Sequence, residues 1–317
     1  MWPDVGGQQH TERRATSPCV CRFTGVMCGR FALSASRYDV VKQFHVDEVV
    51  GEGHGPATGG RVRGGAGASS SAESAPPASE ERFNVAPSQP VLAVATSKDG
   101  TVRRLGTFRW GLVPAWASDP SIGNRMINAR SESAPTKPAF RRAFERRRCL
   151  LPASGYYEWQ DSPGPRRKKA PFYFCRRDGL LLAIGGLWEV WHGDDEVLRT
   201  CTVLTTRANA LGARVHDRMP VLVPEHLWDR WLAPEPLTDE ERAAATAPAP
   251  DDLLVALRVS EDVNDPHNEG PHLAEPIEGV EATEDPEIPE VAETAEAAAG
   301  SEPMRGAQQL PFSVPEG

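Results

Sequence analysis

The sequence predicts an α+β fold built on a largely antiparallel sheet. Three observations carry that expectation: strand-like runs outnumber helical ones, Asp-Gly turn signals separate adjacent runs, and strands and helices do not alternate as a parallel sheet requires.

Taken in order, residues 1–26 are polar and unpatterned, a disordered or misassigned extension. Phe31 and Leu33 read as a short strand. Ser36 is placed to cap a helix carrying Val40, Val41 and Phe44 at helical spacing. Residues 51–82 are rich in Gly, Ser, Ala and Pro and bury too little to order themselves, so they read as a disordered insertion in a domain spanning 27–264. Val91–Thr96, the turn Lys98-Asp99-Gly100 and Val102–Trp110 form a hairpin. Pro138–Arg148 reads as a helix burying Phe140 and Phe144. Phe172–Cys175, the Asp178-Gly179 turn and Leu180–Val190 suggest a second hairpin. Thr200–Thr206 and Leu253–Ser260 are further β-rich runs, and Pro224–Leu232 is a short helix with Pro at its start. Residues 265–317 read as an acidic, disordered tail.

Composition narrows the class. The chain has 317 residues, 39% hydrophobic and 25% charged, with a net charge of −9. That charge is uneven. Glu261–Gly317 holds 15 acidic residues and one basic, Arg305, which leaves residues 1–260 at net +5. A mildly basic body is compatible with a nucleic-acid partner. No run approaches the ~18 apolar residues of a membrane helix. The first 26 residues lack the apolar core of a secretory signal. Both point to a cytoplasmic protein. Six cysteines are scattered, and Cys19 and Cys21 are too close for ordinary zinc spacing, so no metal site is expected.

Five segments carry residues suited to chemistry. Met27-Cys28-Gly29-Arg30-Phe31 is the first. A cysteine following a methionine becomes an amino terminus if everything up to Met27 is absent. It then offers an α-amine, of pKa about 7.7–8.0, beside a thiol near 8.5. Such a pair condenses with an aldehyde to a Schiff base and closes a thiazolidine ring. A buried strand cysteine is the plainer reading. In Arg109-Trp110-Gly111-Leu112-Val113-Pro114, Trp110 is either a core side chain or a platform for a stacked base. In Asn128-Ala129-Arg130, two residues on one side of an extended segment would orient a sugar oxygen and grip a phosphate. Glu158 sits among the aromatics of Pro152–Trp159. Desolvated there it would act as a general acid or base, and on a solvent face it would not. In His216-Asp217-Arg218-Met219-Pro220, His216 suits proton transfer and Arg218 a phosphate, although a lone His is more often structural.

Together these segments resemble the SRAP family, the SOS-response-associated peptidase proteins that sense abasic sites in single-stranded DNA. The markers are Met-Cys-Gly-Arg-Phe at 27–31, Phe-Asn-Val-Ala-Pro at 83–87, Arg-Trp-Gly-Leu-Val-Pro at 109–114, Asn-Ala-Arg at 128–130, Pro-Ala-Ser-Gly-Tyr-Tyr-Glu-Trp at 152–159 and His-Asp-Arg-Met-Pro at 216–220. The resemblance implies twisted antiparallel sheets forming a barrel-like core with peripheral helices, under a basic DNA groove. It implies that Cys28 forms a covalent link to the ring-opened sugar aldehyde and that Asn128 orients that sugar. Glu158 and His216 would move protons, Arg30, Arg130 and Arg218 would hold phosphates, and Asn84 and Trp110 would contact neighbouring nucleotides. No cofactor is implied, because a Schiff base activates its own electrophile. Family members begin at the Met-Cys pair, so a start at Met27 is the favoured reading, with self-removal of the leading residues as the other route to a free Cys28.

Two other function classes fit the same residues. One is a cysteine peptidase or amidase with Cys28 as nucleophile and His216 as base. The other is a noncovalent single-stranded DNA-binding module. The arginines favour phosphate over peptide. The terminal Gln308-Gln309-Leu310-Pro311-Phe312 loosely resembles a sliding-clamp docking peptide. The whole reads as a monomer acting at the nucleoid.

Overall fold

A computed structural model describes residues 29–50, 81–161, 169–194 and 196–277. The 1–26 extension, Cys28, most of the 51–82 insertion and the clamp-like 308–312 segment lie outside the described residues.

The chain opens with strand β1 (Arg30–Leu33), helix α1 (Arg37–Gln43) and the short β2 (Glu48–Val49). After the insertion come β3 (Arg82–Val85), β4 (Pro90–Thr96), β5 (Arg103–Trp110), β6 (Asn128–Arg130), α2 (Arg141–Arg146) and β7 (Arg148–Ala153). Then follow β8 (Gly155–Asp161), β9 (Lys169–Arg176), β10 (Leu182–His192) and β11 (Val197–Arg207). The last part holds α3 (Ala210–Ala213), β12 (Arg218–Pro220), α4 (Trp228–Leu232), α5 (Asp239–Ala245) and β13 (Leu254–Arg258). The α+β class is borne out. Among the described residues, no helix is long and apolar enough to cross a membrane.

The strands form two sheets. One runs β13-β9-β8-β1-β3 and is antiparallel throughout. The other runs β11-β10-β7-β4-β5 and closes on itself where β5 pairs in parallel with β11, Thr200 against Arg109 and Cys201 against Trp110. Closure leaves no free edge in that ring of five strands. Short strands extend its rims. Thr205 of β11 faces Arg130 of β6 on one edge and Pro220 of β12 on the other. One hydrophobic core includes residues of both sheets, among them Phe31, Tyr156 and Phe174 with Trp110, Leu151 and Val203.

Local chemistry explains most elements. Ser36 and Asp39 make a reciprocal capping box at the start of α1, which buries Val40, with Phe44 just past its end. The first expected hairpin is present from Pro90↔Arg109 to Thr96↔Arg103, and Gly100 adopts φ 75° at its turn. The second expected hairpin is absent. β9 pairs with β8 and β13, whereas β10 pairs with β7 and β11, so the Asp178-Gly179 turn carries the chain from one sheet to the other. Turn residues specify a reversal, not the partner that follows it. The insertion is also shorter than expected, since Arg82 begins β3. The tail begins later, because ordered chain continues past residue 265 to Ile277 and buries Leu273 completely.

The expected helix over Pro138–Arg148 shrinks to Arg141–Arg146, and Arg148 begins β7. Arg148 is 2% exposed. Its guanidinium donates to the carbonyls of Phe144 and Glu145 at the end of α2 and of Trp231, Ala233 and Glu235 around the end of α4. These are the orphan acceptors that a helix C-terminus presents, and they favour a cation. Burial lowers the Arg148 pKa to about 10, so it stays charged at neutral pH. Replacing it with Met would take the donor from the carbonyls of Phe144, Glu145, Trp231 and Ala233, while Glu235 keeps a weaker bond from Arg230. Arg148→Met is expected to destabilise the protein by about 3 kcal/mol, read as a lower urea midpoint at unchanged slope.

Candidate functional site

The amino end of β1 lies against β8. Arg30 faces Tyr157 and Phe31 faces Tyr156, so the register carries Gly29 to a position opposite Glu158. The residue that would follow Cys28 therefore sits beside Glu158. Glu158 is 3% exposed and faces Phe172 of β9 across the sheet. It lies on the buried face, not the solvent face. One position further, Trp159 is half-buried with the Arg30 guanidinium 5.8 Å from its ring centre. Trp159 was not singled out from the sequence, although its place next to Glu158 was the available signal.

Arg30 and Asn84 form a clamp. Arg30 Nη1 donates to Asn84 Oδ1 at 2.6 Å and to the Val263 carbonyl at 2.7 Å. The Asn84 amide donates to the carbonyls of Asp265 and Asn268, both at 2.9 Å, and more weakly to Val263. Trp159 Nε1 donates to Asn264 at 2.6 Å, and the Phe83 amide to Glu269 at 2.8 Å. These bonds bind the segment after β13 across β1, β3 and β8. Asn84 is fully buried, so the nucleotide contact expected of it is corrected: its side chain positions Arg30 and the 263–268 segment. Burial lowers the Arg30 pKa, and no carboxylate bonds it among the described residues.

Trp110 is corrected in the same way. It is 1% exposed, its ring packs 5.2 Å from Phe31, and its Nε1 donates to the Ile127 carbonyl at 2.8 Å. It has no free face for a base. It instead ties β1 to the residue before Asn128, which pairs with Val203 of β11. Two residues on, Arg130 is exposed at the rim.

His216 ends the turn after α3. Asn209 caps that helix, accepting from the Gly212 amide, while its own amide donates to Ala249. Gln160 of β8 donates to the Arg214 carbonyl at 2.8 Å, tying the His216 turn to the strand that carries Glu158. His216 Nδ1 lies 3.1 Å from the Arg218 amide and 2.9 Å from the exposed Asp217 carboxylate. Accepting from the amide leaves the proton on Nε2, whereas a protonated ring donates to Asp217. Arg218 is 8% exposed and does not stand open as a phosphate ligand. Its guanidinium holds Glu132 through two bonds of 2.6 and 2.9 Å and donates to Thr205. Glu132, another residue missed from the sequence, has its pKa lowered by the Arg218 bond.

The SOS response associated peptidase (SRAP) model matches residues 27–266. The chain belongs to this family. Among SRAP relatives, the abasic site processing protein YoqW of Bacillus subtilis is 36% identical over 250 residues, covering 78% of this chain and 99% of its own. YedK of Escherichia coli, also named an abasic site processing protein, is 27% identical over 255 residues, 79% of this chain and all of its own. HMCES of Gallus gallus, of the same description, is 30% identical over 207 residues, 58% and 61%. A solved protein from Bacteroides thetaiotaomicron shares the fold with TM-score 0.62 and 21% identity, covering 79% of this chain and 100% of that one. Among the described residues of this SRAP chain, no cluster of three or more His, Cys, Asp or Glu could hold a metal.

Two outcomes test this geometry. Asn84→Ala removes the donors that hold the 263–268 carbonyls, and amide exchange across residues 263–273 should accelerate at least tenfold while the β10–β11 amides stay protected. The Glu132 contribution is present above pH about 4.5 and is lost as pH falls through its lowered folded pKa. The difference in urea midpoint between wild type and Glu132→Gln should therefore shrink on acidification below pH 4.5.

Proposed function

We propose that this chain processes abasic sites in single-stranded DNA by capturing the ring-opened sugar aldehyde on Cys28 as its amino-terminal residue. The observation that supports this most is the register of β1 on β8. It leads Gly29, the residue after Cys28, towards the buried Glu158, while Gln160 ties the His216 turn to the same strand. On this reading the Cys28 amine, the Glu158 carboxyl and the His216 imidazole act at one place.

The chemistry needs no outside reactant. The Cys28 α-amine adds to the aldehyde carbon, and loss of water gives a Schiff base. The thiol then adds to the same carbon while the nitrogen takes up its proton, closing a thiazolidine. Glu158 and His216 shuttle the protons that ring opening, dehydration and ring closure move. Asn128, held beside β11 through the Trp110–Ile127 bond, orients the sugar. Arg30 and Arg130 hold flanking phosphates. Arg30 suits this because its protein partners are neutral carbonyls, which leave its charge uncancelled. At Arg218 a phosphate must displace or share with Glu132. Trp159 supplies the half-buried indole for a neighbouring base.

Protein beginning at Cys28, incubated with an abasic single-stranded oligonucleotide, should give a shifted band on a denaturing gel. Cys28→Ala should abolish the band, and Glu158→Gln should slow its appearance by about 100-fold. Absence of the band with the intact site, or its persistence in Cys28→Ala, would overturn the reading.

A further inference from the structure

A polar cavity of about 350 Å³ opens beside the proposed lesion site, walled by Ser131, Glu132, Thr206, Arg207, Arg242 and Thr246. It is continuous with elements already described. Ser131 follows Arg130 on β6, and its amide donates to Thr205 of β11. Thr206 and Arg207 come next on β11, where Arg207 pairs across the strands with Arg218. Arg242 reaches in from α5.

Two features distinguish this cleft from an ordinary surface hollow. Ser131 and Thr206 are only 4% and 5% exposed, and both line the cleft with short hydroxyl side chains. A hydroxyl at a cavity wall can both donate to and accept from a ligand. Thr246 donates to the Arg242 carbonyl. The charges also favour an anion. Arg207 is exposed and in no ion pair among the described residues. Arg242 is paired only with the exposed Asp239 at 2.9 Å, a contact of the kind that contributes little in water. The one carboxylate in the wall, Glu132, is neutralised by the bidentate Arg218.

We infer that this cleft is a phosphate subsite, in which Arg207 and Arg242 with the Ser131 and Thr206 hydroxyls take a phosphodiester of the DNA strand running away from the lesion. This rests on the proposed function and extends it. The strand would pass from Arg130 at the rim towards Arg207, which lies two residues beyond Thr205, the β11 partner of Arg130, or roughly 7 Å along the strand.

The test uses the full chain and an unmodified single-stranded oligonucleotide, with affinity followed by fluorescence anisotropy over a range of salt. For the double variant Arg207→Gln/Arg242→Gln, the slope of log affinity against log salt should become shallower by about 1.4, two contacts at about 0.7 each. Affinity at low salt should drop about tenfold. Thr206→Val, which keeps the shape and removes the hydroxyl, should weaken binding a few-fold with the slope unchanged. Both variants, beginning at Cys28 and saturated with abasic DNA, should reach the wild-type crosslink yield. An unchanged salt slope in the double variant and unchanged affinity in Thr206→Val would overturn the subsite while leaving the capture reading intact. Failure of the wild type to crosslink would overturn the capture reading itself. Inorganic phosphate is the control, read as the rise it causes in the melting temperature of the wild type and of the double variant. If the rise is larger in the wild type and the DNA slope is unaffected, the cleft is a small-anion site and the inference fails.

Discussion

The parallel pairing of β5 with β11 is the constraint on which the rest depends. Only two residue pairs make it, yet it turns an open antiparallel sheet into a closed ring. Closure fixes β11 as a strand with both edges occupied: β10 and then β12 on one side, β5 and then β6 on the other. Asn128 and Arg130 come from one edge and Arg218 from the other, with a single strand between them. The Trp110 ring seals the same junction, packing on Phe31 of the second sheet and holding the Ile127 carbonyl that leads into Asn128. The β6 residue proposed to orient the sugar is thereby referenced to β1, where Cys28 precedes the described chain. The Phe31–Trp110 contact brings the two sheets into one geometric frame.

Arginine performs different tasks in this frame, and its partners and exposure separate them. Arg148 is surrounded by main-chain carbonyls and fastens two helix ends to the barrel. Arg218 is nearly as buried but faces a carboxylate, so it contributes order without a free charge. Arg30 lies between these cases. Its bonds go to neutral oxygens, so its geometry is fixed while its charge remains to attract an anion. Arg130 and Arg207 stand exposed at the rim. A basic body of net +5 thus divides into arginines that build the surface and arginines that act from it, a division that charge counting does not reveal.

What the sequence made legible follows the range of the interaction. The Ser36 cap and the Lys98–Gly100 turn are set by neighbours a few residues apart, and both are found where expected. The β9 and β10 partners are chosen by residues far along the chain, and the expected hairpin between them is replaced by a change of sheet. The site shows the same split. Residue types at 128, 158 and 216 announce their chemistry locally. The fates of Asn84 and Trp110 depended on what packs against them. Asn84 meets carbonyls about 180 residues away, two of them from a stretch whose acidic composition had suggested a structureless tail.

That last contact also changes what the acidic end of the domain means. Asp265 and Glu269 lie close enough to Arg30 to support its charge, yet they hold it only through space while the Asn84 side-chain oxygen and the Val263 carbonyl make the bonds. An arginine locked to a carboxylate would have to break an ion pair to bind DNA. An arginine locked to carbonyls keeps its orientation and adds a phosphate as a further partner. The ordered 263–273 segment thus orients the cation beside the proposed lesion site without cancelling it, and Glu132 does the opposite at Arg218. The two ends of the proposed site therefore differ in how readily they admit a phosphate. DNA would engage first at the Arg30 and Arg130 side, where the charge is open, and last at Arg218.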